Sequence, residues 1–287
     1  MAGKAQGWGN GLLGVIIFSG SLPATRVAVA DLSPMFLTSA RAMIAALLGA
    51  ALLFALKGAP PRRRDLPALA LVASGVVIGF PLLTALALQH VNAARSIVFV
   101  GLLPLATAAF GVLRGGERPK PAFWLFSAIG AAAIAGFALT QGGDDGALTG
   151  DLLMAAAVLV CGLGYAEGAS LSRRLGGWQV ISWALVLSAP VMAAIALATL
   201  PGDWRAIGRP AWIGLAYVSV FSMLVGFVFW YRGLALGGVA GVGQLQLLQP
   251  FFGFLLAAIV LAEPIAPAML APTLIVAICV AGARRFA

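Results

Sequence analysis

Of 287 residues, 62% are hydrophobic, and only 18 Lys+Arg and 9 Asp+Glu carry charge. A soluble domain is roughly 25% charged; at 9% this chain has too little polar surface to cover a water-soluble globule. That excludes an ordinary soluble enzyme, a disordered chain and a nucleic-acid binder. The net charge of +9 is therefore read first as a membrane signal.

A helix crossing the hydrocarbon core of a bilayer needs about 20 apolar residues. Ten such stretches follow one another, near 10–30, 34–56, 66–89, 93–113, 121–140, 149–169, 178–199, 210–231, 240–261 and 267–283. They are unbroken apolar runs rather than alternating strands, which excludes a transmembrane β-barrel. The expected fold is an all-α integral membrane protein of ten transmembrane helices with short connections. In the first stretch, Ala28-Val29-Ala30 mimics a secretory cleavage site, but Arg26 lies just before it, where such signals avoid charge. That segment is read as a permanent helix.

Polar or helix-breaking residues punctuate these stretches. The second carries Arg41 about seven residues in; the third is interrupted by Phe80-Pro81, with Thr84 one turn on, and ends at His90. The fourth holds Arg95, Phe99 and Pro104, and the sixth holds Cys161, Tyr165 and Glu167. The eighth holds Trp230-Tyr231, and the ninth runs through Gln244, Gln246 and Gln249 to Pro250. Cys161 and Cys279 have neither CxxC nor metal spacing and read as buried packing residues.

Lys and Arg mark the cytoplasmic side of short loops. With the N-terminus inside, the inner segments hold Lys4, Lys57, Arg62, Arg63, Arg64, Arg114, Arg118, Lys120, Arg173, Arg174, Arg232, Arg284 and Arg285. The outer side holds only Arg26, Arg95, Arg205 and Arg209, while Asp31, Asp144, Asp145, Asp151, Asp203 and Glu263 gather there. Both termini are expected in the cytoplasm of a bacterial cell, with the chain multi-pass in the inner membrane.

The two halves echo each other. Pro104, Glu117 and Pro121 recur as Pro250, Glu263 and Pro267, and Ala85-Leu86-Ala87-Leu88-x-x-Val91 recurs as Gly233-Leu234-Ala235-Leu236-x-x-Val239. The expected halves are 1–142 and 143–287. Five helices per half is an odd number, so the second half enters the membrane from the opposite side. Inverted repeats of this kind occur in secondary transporters, where they support two opposite-facing states around a midplane site.

The paired recurrence of Ala-Leu-x-x-Val, a proline in the next helix, and Glu-x-x-x-Pro resembles the EamA family of the drug/metabolite transporter superfamily. Pro34 followed by Arg41 in the second helix adds to the likeness, which covers nearly the whole chain. Within that family the sequence is most similar to the YddG-type bacterial amino-acid exporters. The resemblance implies a ten-helix basket around a central cavity and export of amino acids or related metabolites.

For the site, a charge at mid-helix costs roughly 2.5–3.5 kcal/mol to insert and needs a compensating reason. Arg41 and Glu167 meet that description, each read either as coupling or as structural. His90, the single histidine, is a ligand contact or a solvated turn residue. Gln244, Gln246 and Gln249 either hold a polar ligand or bond to another helix. Pro81, Pro104 and Pro250 free backbone carbonyls where helices break. Phe80, Thr84, Phe99, Tyr165 and Trp230 complete the expected substrate-binding set, as walls for an apolar side chain or as ordinary packing.

No P-loop, metal cluster or Asp-rich pair occurs, so neither catalysis nor a cofactor is expected. The expected partners are a small-molecule substrate and the lipid bilayer, with no nucleic acid, and the chain is expected to be a monomer. The leading reading is a secondary exporter of small amphipathic metabolites, amino acids foremost, working by alternating access. The open alternatives are another solute class (nucleoside, sugar or drug-like) and a non-transporting membrane protein.

Overall fold

The fold was analysed on a computed structural model, which describes residues 2–115, 120–140, 145–237, 242–283 and 285–286. Every described element is helical. Among the described residues, seven helical segments are long and apolar enough to cross a membrane: α1 (Ala5–Ala28), α2 (Pro34–Ala55), α3 (Arg63–His90), α4 (Ala93–Leu113), α6 (Gly146–Leu175), α7 (Gly177–Ala198) and α8 (Arg209–Leu234). Three apolar helices are shorter: α5 (Pro121–Phe137), α9 (Leu245–Leu261) and α10 (Pro267–Gly282). Without water in the bilayer core, every backbone N–H and C=O must pair inside its own segment, and helices satisfy that condition.

Helix starts follow local chemistry. Ser33 caps α2, its hydroxyl accepting from the Phe36 amide at 3.2 Å, with Pro34 in the first turn. Asn92 caps α4 by accepting from the Arg95 amide at 2.8 Å. The irregular stretches recur in both halves. Ala73–Gly79 of α3 and Tyr217–Val225 of α8 are π-helical, a geometry concentrated at functional sites. α4 is broken at Gly101–Leu102 ahead of Pro104, and a 3-10 turn over Gly243–Leu248 precedes Pro250. Pro81 likewise sits in the first turn of a new α-helical stretch. All three prolines thus stand where regular α-geometry resumes, a place where the missing N–H leaves no partner unpaired.

Several helix contacts repeat between the halves, although α6 against α7 has no comparable counterpart in α1 against α2. α1 lies on α8 and α6 on α3; α4 lies on α6 and α9 on α1; α2 pairs with α7, α5 with α10, and α4 with α9. Exchanging the first five helices for the last five maps this set of pairs onto itself. The crossings rest on small residues. A Cβ on Gly75 of α3 would stand 2.3 Å from the Val160 carbonyl of α6, and one on Gly233 of α8 would stand 2.7 Å from the Gly11 amide of α1. Lipid tails are as apolar as leucine, so such close backbone approach replaces a hydrophobic driving force. Phe54, Leu197 and Ile259 are 88%, 70% and 70% exposed, as a lipid-facing surface requires.

Polar contacts tie each end. At one end Asp65 pairs with Arg174 at 2.9 Å, the Trp183 indole donates to the Ala59 carbonyl at 3.0 Å, and the Lys120 amide donates to the Phe286 carbonyl at 3.0 Å. At the other, Arg95 forks onto Asp151 at 2.6 and 2.8 Å. There too Arg26 donates to the Leu88 carbonyl, and the Gly208 amide donates to Asp31 at 2.9 Å. These groupings agree with the alternation of ends expected from the loop charges.

Candidate functional site

A narrow cavity of about 30 Å³ lies near the middles of α3, α6 and α8 and also touches α1, α2, α4 and α9. Its wall is mostly apolar. Phe18 and Phe227 meet at a tilt with 4.8 Å between centroids, Tyr165 meets Phe227 edge-on at 5.9 Å, and Phe80 closes the α3 side. Behind them, Trp230 lies 6.4 Å from Phe18 and 6.3 Å from Tyr165. Rings of this kind supply rigid apolar area for a solute side chain.

The polar part of the wall is Ser21, Arg41, Ser222 and Gln249. Arg41 is 5% exposed, and one terminal guanidinium nitrogen donates to the Ser222 hydroxyl at 3.4 Å. Ser222 in turn shares a hydrogen bond of 2.7 Å with Ser21. This string joins α2, the π-helical stretch of α8, and α1. The Ser19 hydroxyl bonds to its own helix at Val15 and to the Gln249 carbonyl at 3.3 Å, adding α9. Arg41 Nε and Gln249 Oε1 are buried without a hydrogen-bond partner, and among the described residues no ion pair joins Arg41. A desolvated, unneutralised guanidinium facing a cavity is costly unless something fills that role.

Of the residues expected from the sequence, Arg41, Phe80, Pro81, Tyr165 and Gln249 come together on this wall. Trp230 stands directly behind it. The others lie elsewhere. The Thr84 hydroxyl donates to the Phe80 and Pro81 carbonyls of its own helix, which satisfies it without a ligand. Phe99 is 4% exposed and packed in the core, while its neighbour Val100 reaches the cavity. His90 is exposed at the end of α3. Gln246 is buried off the cavity with Nε2 unpaired, and the Gln244 side chain lies outside the described residues. Glu167 is buried toward the Asp65–Arg174 end of α6 and off the cavity wall. Pro104 and Pro250 are buried, with Pro250 near Gly101 where α4 and α9 approach.

Sequence reasoning missed Phe18, Ser21, Ser222 and Phe227. It also missed the role of Glu263. That carboxylate accepts from the Ala93 amide at 3.1 Å and the Ala94 amide at 2.7 Å, capping α4 from the far side of α9. Glu117, its counterpart in the first half, lies outside the described residues.

A bundle of apolar, membrane-length helices around a buried, polar-centred cavity is the architecture of a membrane transporter. The chain belongs to the EamA-like transporter family, whose pattern matches it twice, at residues 7–139 and 148–284. It is 65% identical over 282 residues to the uncharacterized transporter YdeK of Bacillus subtilis (strain 168), with 98% of each chain covered. A protein of known crystal structure, 19% identical, shares the fold with a TM-score of 0.68 over 98% of this chain and 96% of that one.

Proposed function

We propose that the chain is a secondary exporter of small amphipathic metabolites, amino acids foremost, in the bacterial inner membrane. All ten helices cross the bilayer, the two halves are inverted repeats, and both termini face the cytoplasm. The reading is carried by the cavity, in which a buried cation and an unpaired amide face a wall of aromatic rings. The exchange symmetry of the helix pairs supports the inverted arrangement, since it gives both ends of the cavity equivalent machinery.

Room for water inside is only about 30 Å³, enough for one or two molecules. A metabolite therefore enters only when the helices part. The Arg95–Asp151 and Glu263–α4 ties hold one end closed, and the Asp65–Arg174 pair holds the other. Alternating access breaks one set while the other stays made, so the solute faces one side at a time. The close glycine crossing of α8 on α1 lets these two helices move as a rigid pair.

The test is counterflow in proteoliposomes loaded with leucine, phenylalanine, uridine or glucose. Saturable flux of the amino acids at carrier rates is the expected result. Flux of uridine or glucose alone would move the substrate to another class, and no flux of any solute would refute transport.

A further inference from the structure

We infer that Arg41 is the seat of the solute's carboxylate, so that the transported class is limited to solutes bearing a single negative charge on a compact head group. This rests on the transport reading above and narrows it. The observation is the mismatch at Arg41. Its guanidinium is 5% exposed within the apolar span of α2, donates to one hydroxyl at a long 3.4 Å, keeps Nε unpaired, and meets no carboxylate among the described residues. A structural arginine at such depth bonds helix-end carbonyls or a paired acid. Arg41 does neither and instead lines the cavity.

A carboxylate brings what is lacking. A planar guanidinium presents parallel donors that match two carboxylate oxygens, and desolvation strengthens the pair. Ser222 and Ser21, bonded to one another at 2.7 Å, sit beside Arg41 with a hydroxyl proton to turn toward the same head group. Gln249 Oε1, an acceptor without a donor, suits the ammonium of a zwitterion. The rings of Phe18, Phe80, Tyr165 and Phe227 take the apolar remainder. One guanidinium balances one negative charge, so a phosphomonoester dianion would leave charge uncompensated in a low-dielectric site. A cationic amine without a carboxylate would meet like charge.

The test compares leucine with leucinamide, 4-methylvalerate and isoamylamine as competitors of leucine counterflow, with glucose 6-phosphate as the dianion. Each arm is run on wild type, Arg41→Lys and Arg41→Gln. In wild type, leucine and 4-methylvalerate should compete, and the amide, the amine and the phosphate should be weaker by at least about tenfold. Arg41→Gln should lose flux by at least about tenfold, and Arg41→Lys should retain part of it. Leucine-induced thermal stabilisation in detergent should be present in wild type and absent in Arg41→Gln. If Arg41→Gln fails to fold, the wild-type competition series decides by itself. Equal competition by leucinamide, or leucine stabilisation retained in folded Arg41→Gln, would overturn the assignment while leaving transport intact. Absence of flux for every solute would overturn transport, and the assignment with it.

Discussion

Gly75 lies in the π-helical stretch of α3, and replacing it with alanine tests whether tight backbone crossings hold the two helix pairs together. The added Cβ would stand 2.3 Å from the Val160 carbonyl oxygen and 3.3 Å from Gly164 of α6, while ordinary contact begins at 3.4 Å. The Val160 oxygen is backbone and cannot swing away, so α3 and α6 must separate by roughly 1 Å. That loosens the facing contacts all along the pair, at a cost of about 1–3 kcal/mol. Helix propensity works the other way, since Ala is favoured over Gly by about 1 kcal/mol within a helix. Gly111 in α4 supplies the control, because a Cβ there meets nothing within 4 Å. Gly75→Ala should therefore lower the thermal midpoint in detergent, whereas Gly111→Ala should leave it unchanged or raise it. If both variants move the midpoint in the same direction by similar amounts, the close-crossing argument is wrong.

Three further outcomes follow from particular contacts. Glu263→Gln removes the charge that caps α4 and should cost about 1–3 kcal/mol in thermal unfolding; an unchanged midpoint would show that the cap does not matter. Asp151→Asn removes the charge that the Arg95 guanidinium forks onto and should cost about 1–3 kcal/mol, and adding Arg95→Met should recover part of the loss. Strictly additive losses would refute the coupling. On a background with Cys161 and Cys279 replaced by alanine, Phe80→Cys should react with a small aqueous thiol reagent and be protected by leucine. Leu47→Cys, on the 67% exposed lipid-facing side chain, should stay unreactive, and equal reaction at both positions would contradict the placement of the cavity.

The elements were legible in the sequence because the bilayer imposes a length. Each apolar stretch predicted from composition coincides with a helical segment, and Ser33, Asn92 and the three prolines mark boundaries by ordinary backbone chemistry. Loop charges put Arg95 and Asp151 at one end and Arg174 at the other, and Arg95 does meet Asp151 while Arg174 meets Asp65. Part of the site was legible as well. Arg41, Phe80, Tyr165 and Gln249 are polar, bulky or helix-breaking in a setting where such residues need a reason.

What stayed hidden is which face of each helix looks inward. In a soluble helix, polar residues mark the outer face and give the pattern away. Here lipid and protein interior are equally apolar, so Phe18 and Phe227 read like any other lipid-facing ring. Serines satisfy their own helix carbonyls and leave no trace in hydropathy; Ser21 and Ser222 gained meaning only when α1 and α8 brought their hydroxyls to 2.7 Å. The pairing of Glu263 with the start of α4 spans 170 residues of chain, a contact that local pattern cannot encode. Bilayer thickness and charge asymmetry act on each segment singly, so composition and spacing decided the helices, their boundaries and their repeat. The cavity depends on rotations and crossings set by packing among all the helices together, and only the tertiary structure turned Arg41 inward.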